Sequence, residues 1–267
     1  MILQNLHTHS TFCDGKNTIE EVVLCAIDAG FDSLGFSGHG YTDFDNRYCM
    51  QNTEGYINEL KRVKEEYKDK IQIYLGVEED MCGFVDRSRF DYILGACHYY
   101  AIDGKYYDVD GSYEQTLEAL KAVSNDVIKL ADNYYSRFCD YILSRKPDIV
   151  AHFDLLTKFD EKYDSIFSHN KDYHALAKNY LLYAMKSNCI FEVNTGAISR
   201  GYRKTPYPSS ELLYTLYKND GKIIVNSDCH AAENLESAFD EAIPMLKDIG
   251  FKYTYVLYDG KFTKTLL

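Results

Sequence analysis

The chain of 267 residues has no apolar run approaching the roughly 20 residues that cross a bilayer. Its N-terminus has no basic stretch followed by an apolar core, so no signal peptide is predicted. The expectation is a soluble, cytoplasmic protein. The eight cysteines (13, 25, 49, 82, 97, 139, 189 and 229) include no Cys-x-x-Cys pair, a scatter that fits reduced thiols better than a disulfide framework. Basic charge is in short supply. With 29 Lys and Arg against 41 Asp and Glu, the net charge is -12, which argues against a general nucleic-acid or anionic-membrane surface. An anionic substrate is not excluded, because bound divalent ions can reverse the local field. Linkers, repeats and low-complexity segments are also missing, so residues 1–267 read as one domain. Tryptophan is absent while tyrosine reaches 25, a bias without a physical explanation in the sequence.

What is present is a core, at 46% hydrophobic residues, and a regular alternation. Apolar strand patterns end at His7 and His9, near His39, at Glu78, at His98, at His152, and at Asp228 and His230. Helical patterns separate most of them. Thr18-Ile19-Glu20-Glu21 reads as a capping box that opens a helix to about Gly30, and helices are expected over Thr53 to Tyr67, Ser112 to about Ser144 with a break near Asn125, Asp172 to Lys186, Ser209 to Lys218, and about Asn234 to Ile249 with a kink at Pro244. Residues 99–111, rich in Tyr, Asp and Gly, read as a long loop. A single strand, Lys252 to Leu257, is expected to close the chain. About seven strand–helix units of this length imply a closed parallel barrel, whose strand carboxyl ends gather on one face. An open doubly wound sheet would spread the same residues along a crevice.

On an extended chain alternate side chains share a face, so His7 and His9 can address one ion while Thr8 turns away. Any one of these histidines is more readily a hydrogen-bonded structural residue, but six at strand ends are not plausibly all structural. Together with Glu78, Asp228 and Asp14 from the first loop, His7, His9, His39, His98, His152 and His230 form a nitrogen and oxygen donor set suited to Zn, Fe or Mn. Nine donors exceed one ion's needs and point to two or three divalent ions sharing a carboxylate. Such ions make a coordinated water acidic enough to attack near neutral pH, and phosphate monoester hydrolysis most needs that help. Glu79 and Asp80 compete with Glu78, which is favoured because it alone follows Gly76-Val77 directly. Cys97 and Cys229 adjoin ligands but alternate away from them, as small buried hydrophobes. His169 and His174 fall off the strand ends and read as surface residues.

Three other motifs have competing chemistry. Gly35-Phe36-Ser37-Gly38-His39 approaches a serine nucleophile elbow but lacks its final glycine. Cys139 and Arg145 have the spacing of a cysteine phosphatase loop, yet the residues between them read as helix. Asp108-Val109-Asp110-Gly111-Ser112 is similar to an aspartyl-phosphate motif but does not follow an early apolar strand, and it leaves the histidines unexplained.

His7-Thr8-His9, Ser37-Gly38-His39, Gly76-Val77-Glu78, Ala96-Cys97-His98, Ala151-His152 and Ser227-Asp228-Cys229-His230 resemble, in order, the motifs of the polymerase and histidinol phosphatase (PHP) family. The run Glu192 to Pro208 resembles its histidinol-phosphatase branch. The resemblance implies a distorted (β/α)7 TIM-like barrel and a trinuclear centre that hydrolyses L-histidinol phosphate. By the same resemblance His7, His9, Glu78 and Asp228 hold one ion, Glu78, His98 and His152 the second, and Asp14, His39 and His230 the third. The family often has a histidine where Asp14 stands. Asp14, His39 and Asp228 are the candidate catalytic residues, and Arg200 the expected phosphate clamp with Arg203 in reserve, since a planar guanidinium can hold two phosphate oxygens. A small phosphorylated substrate is the expected partner, and the oligomeric state is open. A related phosphoesterase acting on another small phosphate or on phosphotyrosine, and a metal-binding module without turnover, stand as alternatives.

Overall fold

The computed structural model describes residues 2–267. Seven parallel strands form the central sheet: Gln4–Asn5 (β1), Ser33–Phe36 (β2), Gln72–Asp80 (β3), Tyr92–Ala96 (β4), and, after the hairpin strands Tyr99–Ile102 (β5) and Lys105–Asp108 (β6), Ile149–Val150 (β7), Ile190–Asn194 (β8) and Lys222–Asn226 (β9). Their order is β1-β2-β3-β4-β7-β8-β9. The two ends meet through a parallel bridge, with His9 N donating to the Cys229 carbonyl at 2.8 Å and Cys229 N to the His7 carbonyl at 2.9 Å. The sheet is therefore a nearly closed barrel. It is distorted because the β3–β4 crossover contains only a short 3-10 turn, Arg87–Arg89, where a regular unit would place an α-helix.

The helices form where the sequence caps them. Thr18 and Glu21 make both bonds of the capping box at the start of Ile19–Asp28 (α1). Thr53–Glu66 (α2) follows an Asn52 cap. Tyr113–Ala122 (α3) and Val127–Arg145 (α4) are divided by Ser124 and Asn125, both at positive φ, and by the Asp126 cap. Lys171–Ala184 (α5), the short Gly196–Ser199 (α6), Ser210–Lys218 (α7) and Phe239–Ile249 (α8) complete the set. The last helix starts later than its pattern suggests, because Ala232–Asn234 forms a separate 3-10 turn and Ala238 sits at φ 59° before it; Pro244 lies within α8. Cys139 and Arg145 both lie on α4, so the segment has helical geometry and not that of a phosphate loop.

Two expectations are corrected. Residues 99–111 are not a loop throughout: β5 and β6 pair antiparallel around Asp103-Gly104, both at positive φ, the Asp-Gly signal of a tight primed turn. The final strand is likewise half of a hairpin, Tyr253–Tyr258 (β10) with Lys261–Leu266 (β11), around Asp259-Gly260, again at positive φ. This second hairpin closes the bottom of the barrel. Gln4 Nε2 donates to the Leu257 carbonyl at 2.7 Å and Leu257 N to Gln4 Oε1 at 2.8 Å.

Pleat alternation divides the apolar residues between the barrel interior and its outer jacket. Leu6, Tyr74, Tyr92, Leu94, Ala96, Ile149, Ala151, Ile190, Ile224 and Leu257 pack inside. Ile73, Leu75, Val77, Ile93 and Cys229 face one group of helices, and Cys97, Val150, Phe191, Val193 and Val225 the other. Tyr92 braces the interior, its hydroxyl donating to the carbonyls of Leu6 (2.5 Å) and Phe36 (3.2 Å). Gly35 and Gly76 make room for it, since a Cβ on Gly76 would overlap the Tyr92 ring. Gly76→Ala is expected to destabilise the fold by about 1–3 kcal/mol through overpacking, read as a lower urea midpoint with an unchanged slope.

Candidate metal centre

The carboxyl ends of the strands bring the nine predicted donors together, seven of them lining one cavity and His7 and His9 buried against these. Along β3, Tyr74, Gly76 and Glu78 alternate inward, so Glu78 rises from the interior layer toward the mouth. His98 follows β4, His152 follows β7, and Asp228 and His230 follow β9. Two of them need an unusual backbone: His152 lies at φ 23° and Asp228 at φ 50°, conformations that the surrounding structure must hold in place.

Glu78 is the hub. Its Oε2 lies 2.9 Å from His39 Nδ1, 3.3 Å from His7 Nε2 and 3.7 Å from His9 Nε2, and its Oε1 lies 3.0 Å from His152 Nε2 and 3.3 Å from His98 Nε2. Asp228 Oδ1 meets His9 Nε2 at 3.3 Å, His230 Nδ1 at 3.4 Å and His7 Nε2 at 3.5 Å. Asp14, at the rim, faces His230 Nε2 at 3.3 Å and His9 and His39 at 3.6 Å. Four sets of donor atoms converge closely enough to share an ion: His9, Asp14, His39 and His230; His7, His9 and Glu78; His7, His152 and Asp228; and His39, Glu78 and His98. All nine residues are thus brought together. The Asp14, His39 and His230 grouping includes His9 as well, and Glu78 and His7 each serve two groupings.

Side chains behind the donors set their tautomers. His7 Nδ1 meets Glu192 Oε1 at 2.7 Å and His98 Nδ1 meets Asp80 Oδ2 at 3.2 Å; with the ring protons donated there, Nε2 of each is left with its lone pair toward Glu78. His230 Nδ1 stands between an acceptor and a donor, the Asp228 carbonyl at 3.0 Å and Arg200 Nη1 at 3.1 Å, so its tautomer is not set in this way. Asp80 and Glu192 were not among the expected site residues, although Glu192 shares the inward register of β8. Glu79 is used elsewhere, paired through both oxygens with Arg145 (2.8 and 2.7 Å) and with the Tyr141 hydroxyl.

The donors fit a cation. His7 Nε2, His9 Nε2 and Glu78 Oε2 are fully buried, yet none has a hydrogen bond of acceptable geometry among the described residues. Buried orphan acceptors are costly, and a shared positive ion satisfies all three at once. The same demand shows in the proton affinities. Burial opposes charge on His7, but Glu192, Asp228 and Glu78 outweigh it and hold its pKa well above the usual range; burial is likewise outweighed at His98 by Glu78 and Asp80, which raise it to about 10. His9, facing His230 and His39 as well as burial, drops to about 3. Glu78 and Asp228 are held well below the carboxylate range, burial being overcome by the imidazoles around Glu78 and by Arg200 and His7 beside Asp228.

The cavity has a volume of about 370 Å³, and its wall adds Arg47, Tyr48, Tyr99, Asp108, Asp110, Lys158 and Arg200 to the donors. Arg200 gives Nη2 to Asp228 Oδ2 at 3.0 Å and Nη1 to the Asp228 carbonyl at 3.1 Å, while its buried Nε has no partner among the described residues. Arg203 does not line the cavity. Its guanidinium bonds Thr157 and Thr205, lies 3.5 Å from Glu161 and stacks over Tyr207, so it holds the wall together. Lys158, absent from the expected set, presents Nζ at the cavity, where it donates to the Asp110 carbonyl at 2.6 Å.

Fold and site together define an α/β barrel with a buried imidazole–carboxylate centre at the carboxyl ends of its strands. Residues 5–196 match the PHP domain, and the chain belongs to the PHP family. It is 28% identical over 247 residues to a probable histidinol-phosphatase of Schizosaccharomyces pombe, covering 84% of this chain and 79% of that protein. With the histidinol-phosphatase of Bacillus subtilis it shares 24% identity over 261 residues, covering 88% and 96%. The fold superimposes on a histidinol phosphate phosphatase from Lactococcus lactis, crystallised with zinc, L-histidinol and phosphate, with a TM-score of 0.69 at 20% identity, covering 98% and 99% of the two chains. Among the described residues no helix is long and apolar enough to cross a membrane.

Two outcomes test the centre. Glu192→Gln, which weakens the orientation of His7, is expected to lower metal affinity roughly 10- to 100-fold while the fold is retained, measured by competition with a chromogenic chelator. Stripping bound metal from the parent protein with a chelator is expected to lower its thermal midpoint, and re-addition of a divalent ion to restore it.

Proposed function

We propose that this chain is a metal-dependent phosphomonoesterase that hydrolyses L-histidinol phosphate to L-histidinol and phosphate, a step of histidine synthesis in the cytoplasm. The observation that carries this reading is the convergence of six imidazoles and three carboxylates in one cluster, seven of the nine lining a cavity that also presents Arg200 and Lys158. Relatives named as histidinol-phosphatases, matched over most of their length, support the choice of substrate. Two or three divalent ions of the Zn, Fe or Mn kind are the proposed cofactors, with His7, His9, Glu78 and Asp228 holding one, Glu78, His98 and His152 another, and Asp14, His39 and His230 the third. When bound, such ions supply an acidified water and positive charge for the phosphoryl oxygens.

The chain's own residues do the rest. Glu192 and Asp80 fix the tautomers of His7 and His98, so their lone pairs are aimed before any ligand arrives. Arg200 holds Asp228 in its strained conformation and faces the phosphate with what remains of its fork. Lys158 adds a second cation. Asp14, at the rim between His39 and His230, is held ionised because those imidazoles outweigh its burial, so it can take a proton from an attacking water and then pass that proton to the leaving oxygen. Asp108 and Asp110 are the cavity carboxylates available to the ammonium group of histidinol: Lys158 and His98 overcome burial and keep Asp110 ionised, and Lys158, 3.6 Å from Asp110, and Arg47, 3.7 Å from Asp108, share the two acids.

Purified protein loaded with divalent metal is expected to release phosphate from L-histidinol phosphate with a higher kcat/KM than from p-nitrophenyl phosphate or phosphotyrosine. Equal turnover of all three would leave a general phosphoesterase, and turnover of none with metal bound would leave a binding module. Arg200→Ala is expected to raise KM for histidinol phosphate about tenfold or more in steady-state kinetics, the loss of one charge-assisted contact. An unchanged KM would remove Arg200 from the substrate site.

A further inference from the structure

We propose that Tyr48 is a substrate-contacting residue whose hydroxyl donates a hydrogen bond to an anionic oxygen of the phosphoryl group held over the imidazole–carboxylate centre. The proposal rests on the phosphatase reading above and adds to it a residue that no ligand motif contains. Tyr48 lies between β2 and α2, in the segment that leaves His39 and returns to it, where Met50 N donates to the His39 carbonyl at 3.0 Å. Its ring stands edge-on to the His39 imidazole, with centroids 4.7 Å apart at 85°, and 6.2 Å from the His98 ring. The side chain lines the cavity with His39, His98 and Glu78.

Although the ring is only partly covered, the hydroxyl oxygen is buried, and among the described residues it has no hydrogen-bond partner. The Tyr99 hydroxyl is a near neighbour that interacts with it, but Tyr99 gives its own proton to Asp45 Oδ2 at 3.1 Å and forms no bond of ordinary geometry with Tyr48. A buried hydroxyl without a partner is unfavourable, and phenylalanine would give His39 the same ring contact without that penalty. The hydroxyl is therefore kept for something that enters the cavity.

The chemistry of that ligand follows from the surroundings. A phenol is an O–H donor at neutral pH, and with no protein partner in place this one needs an acceptor. His39 and His98, the rings beneath it, belong to groups of donors able to hold cations. A ligand atom that sits against those cations and accepts the phenolic proton in a hydrogen bond is an oxyanion. No proton is transferred. The contact orients one phosphoryl oxygen relative to the centre.

The test uses the full-length, metal-loaded protein and its Tyr48→Phe variant. Metal content and thermal midpoint are measured first, and both are expected to match the parent, because the ring stays in place. The inhibition constant of inorganic phosphate, used as a competitive probe, is expected to rise about tenfold, with a comparable fall in kcat/KM for histidinol phosphate. Values within twofold of the parent for both would overturn the assignment, as would a loss of activity wholly explained by lost metal. The phosphatase reading fails separately, on the unaltered protein. If the parent turns over no phosphate ester, calorimetric titration of parent and variant with inorganic phosphate still decides Tyr48: weaker binding by the variant supports the contact, whereas equal affinity, or no binding by the parent, removes it.

Discussion

Everything near the mouth of the barrel is arranged around one buried carboxylate. Glu78 is 1% exposed and meets five imidazoles within 3.7 Å, and those imidazoles come from three strand ends and from the segment after a fourth. So many titratable groups without solvent are stable only if positive charge sits among them, as protons on the imidazoles or as metal ions. The raised proton affinities of His7 and His98 describe the first arrangement. The orphaned Nε2 atoms of His7 and His9 show why the second serves better: an ion can satisfy several lone pairs together, whereas a proton serves one pair of atoms. Stability and chemistry at this end of the barrel are therefore the same problem.

The fold solves it by register. Alternation along β3 and β4 turns the small or apolar side chains of the interior layer into Glu78 and His98 at the rim, without any change of strand direction. At β7 alternation alone is insufficient, since Ile149 and Ala151 face inward and positive φ turns His152 to join them; Asp228 keeps the inward register of Ile224 and Asn226 and also lies at positive φ. Such backbone is retained only where neighbours hold it. Glu192 Oε2 accepts from His152 N at 3.0 Å, and Arg200 grips Asp228 by both carboxylate and carbonyl. Glu192 thus supports two donors at once, through the His7 ring and the His152 backbone.

The sequence announces the donors plainly because strand ends and metal ligands both leave short local patterns. His7-Thr8-His9 and Ser227-Asp228-Cys229-His230 are contiguous, and the apolar runs before them identify their faces. Support from a distance leaves no such pattern. Glu192 is one polar residue in an apolar strand, Asp80 sits beside two other acids, and Lys158 lies in a loop whose path depends on tertiary packing. Arg200 and Arg203 show the limit from the other side: three residues apart in the same loop, they are equivalent until Thr157, Thr205 and Glu161 close around Arg203 and leave Arg200 at the cavity. The two hairpins were legible after all. Asp103-Gly104 and Asp259-Gly260 each separate strand-forming runs, but an excess of Tyr and Asp around the first reads as loop until the pairing is seen.

A chain with net charge -12 is an unpromising host for a phosphate dianion, and the cavity makes the conflict local. Its lining contains Asp14, Glu78, Asp108, Asp110 and Asp228 but only Arg47, Lys158 and Arg200 as permanent cations. Five carboxylates against three cations leave an excess of two negative charges, which any protons on the imidazoles merely offset. Two divalent ions would turn that excess into two positive charges, and they would do so at Glu78 and Asp228, whereas Asp108 and Asp110 keep their own partners, Arg47 at 3.7 Å and Lys158 at 3.6 Å. The cavity would then be most positive at the centre and close to balanced where Asp108 and Asp110 lie. A substrate with phosphate at one end and an amine at the other fits such a gradient best with its phosphate at the centre, so the ions that supply the chemistry would also favour one orientation of the substrate.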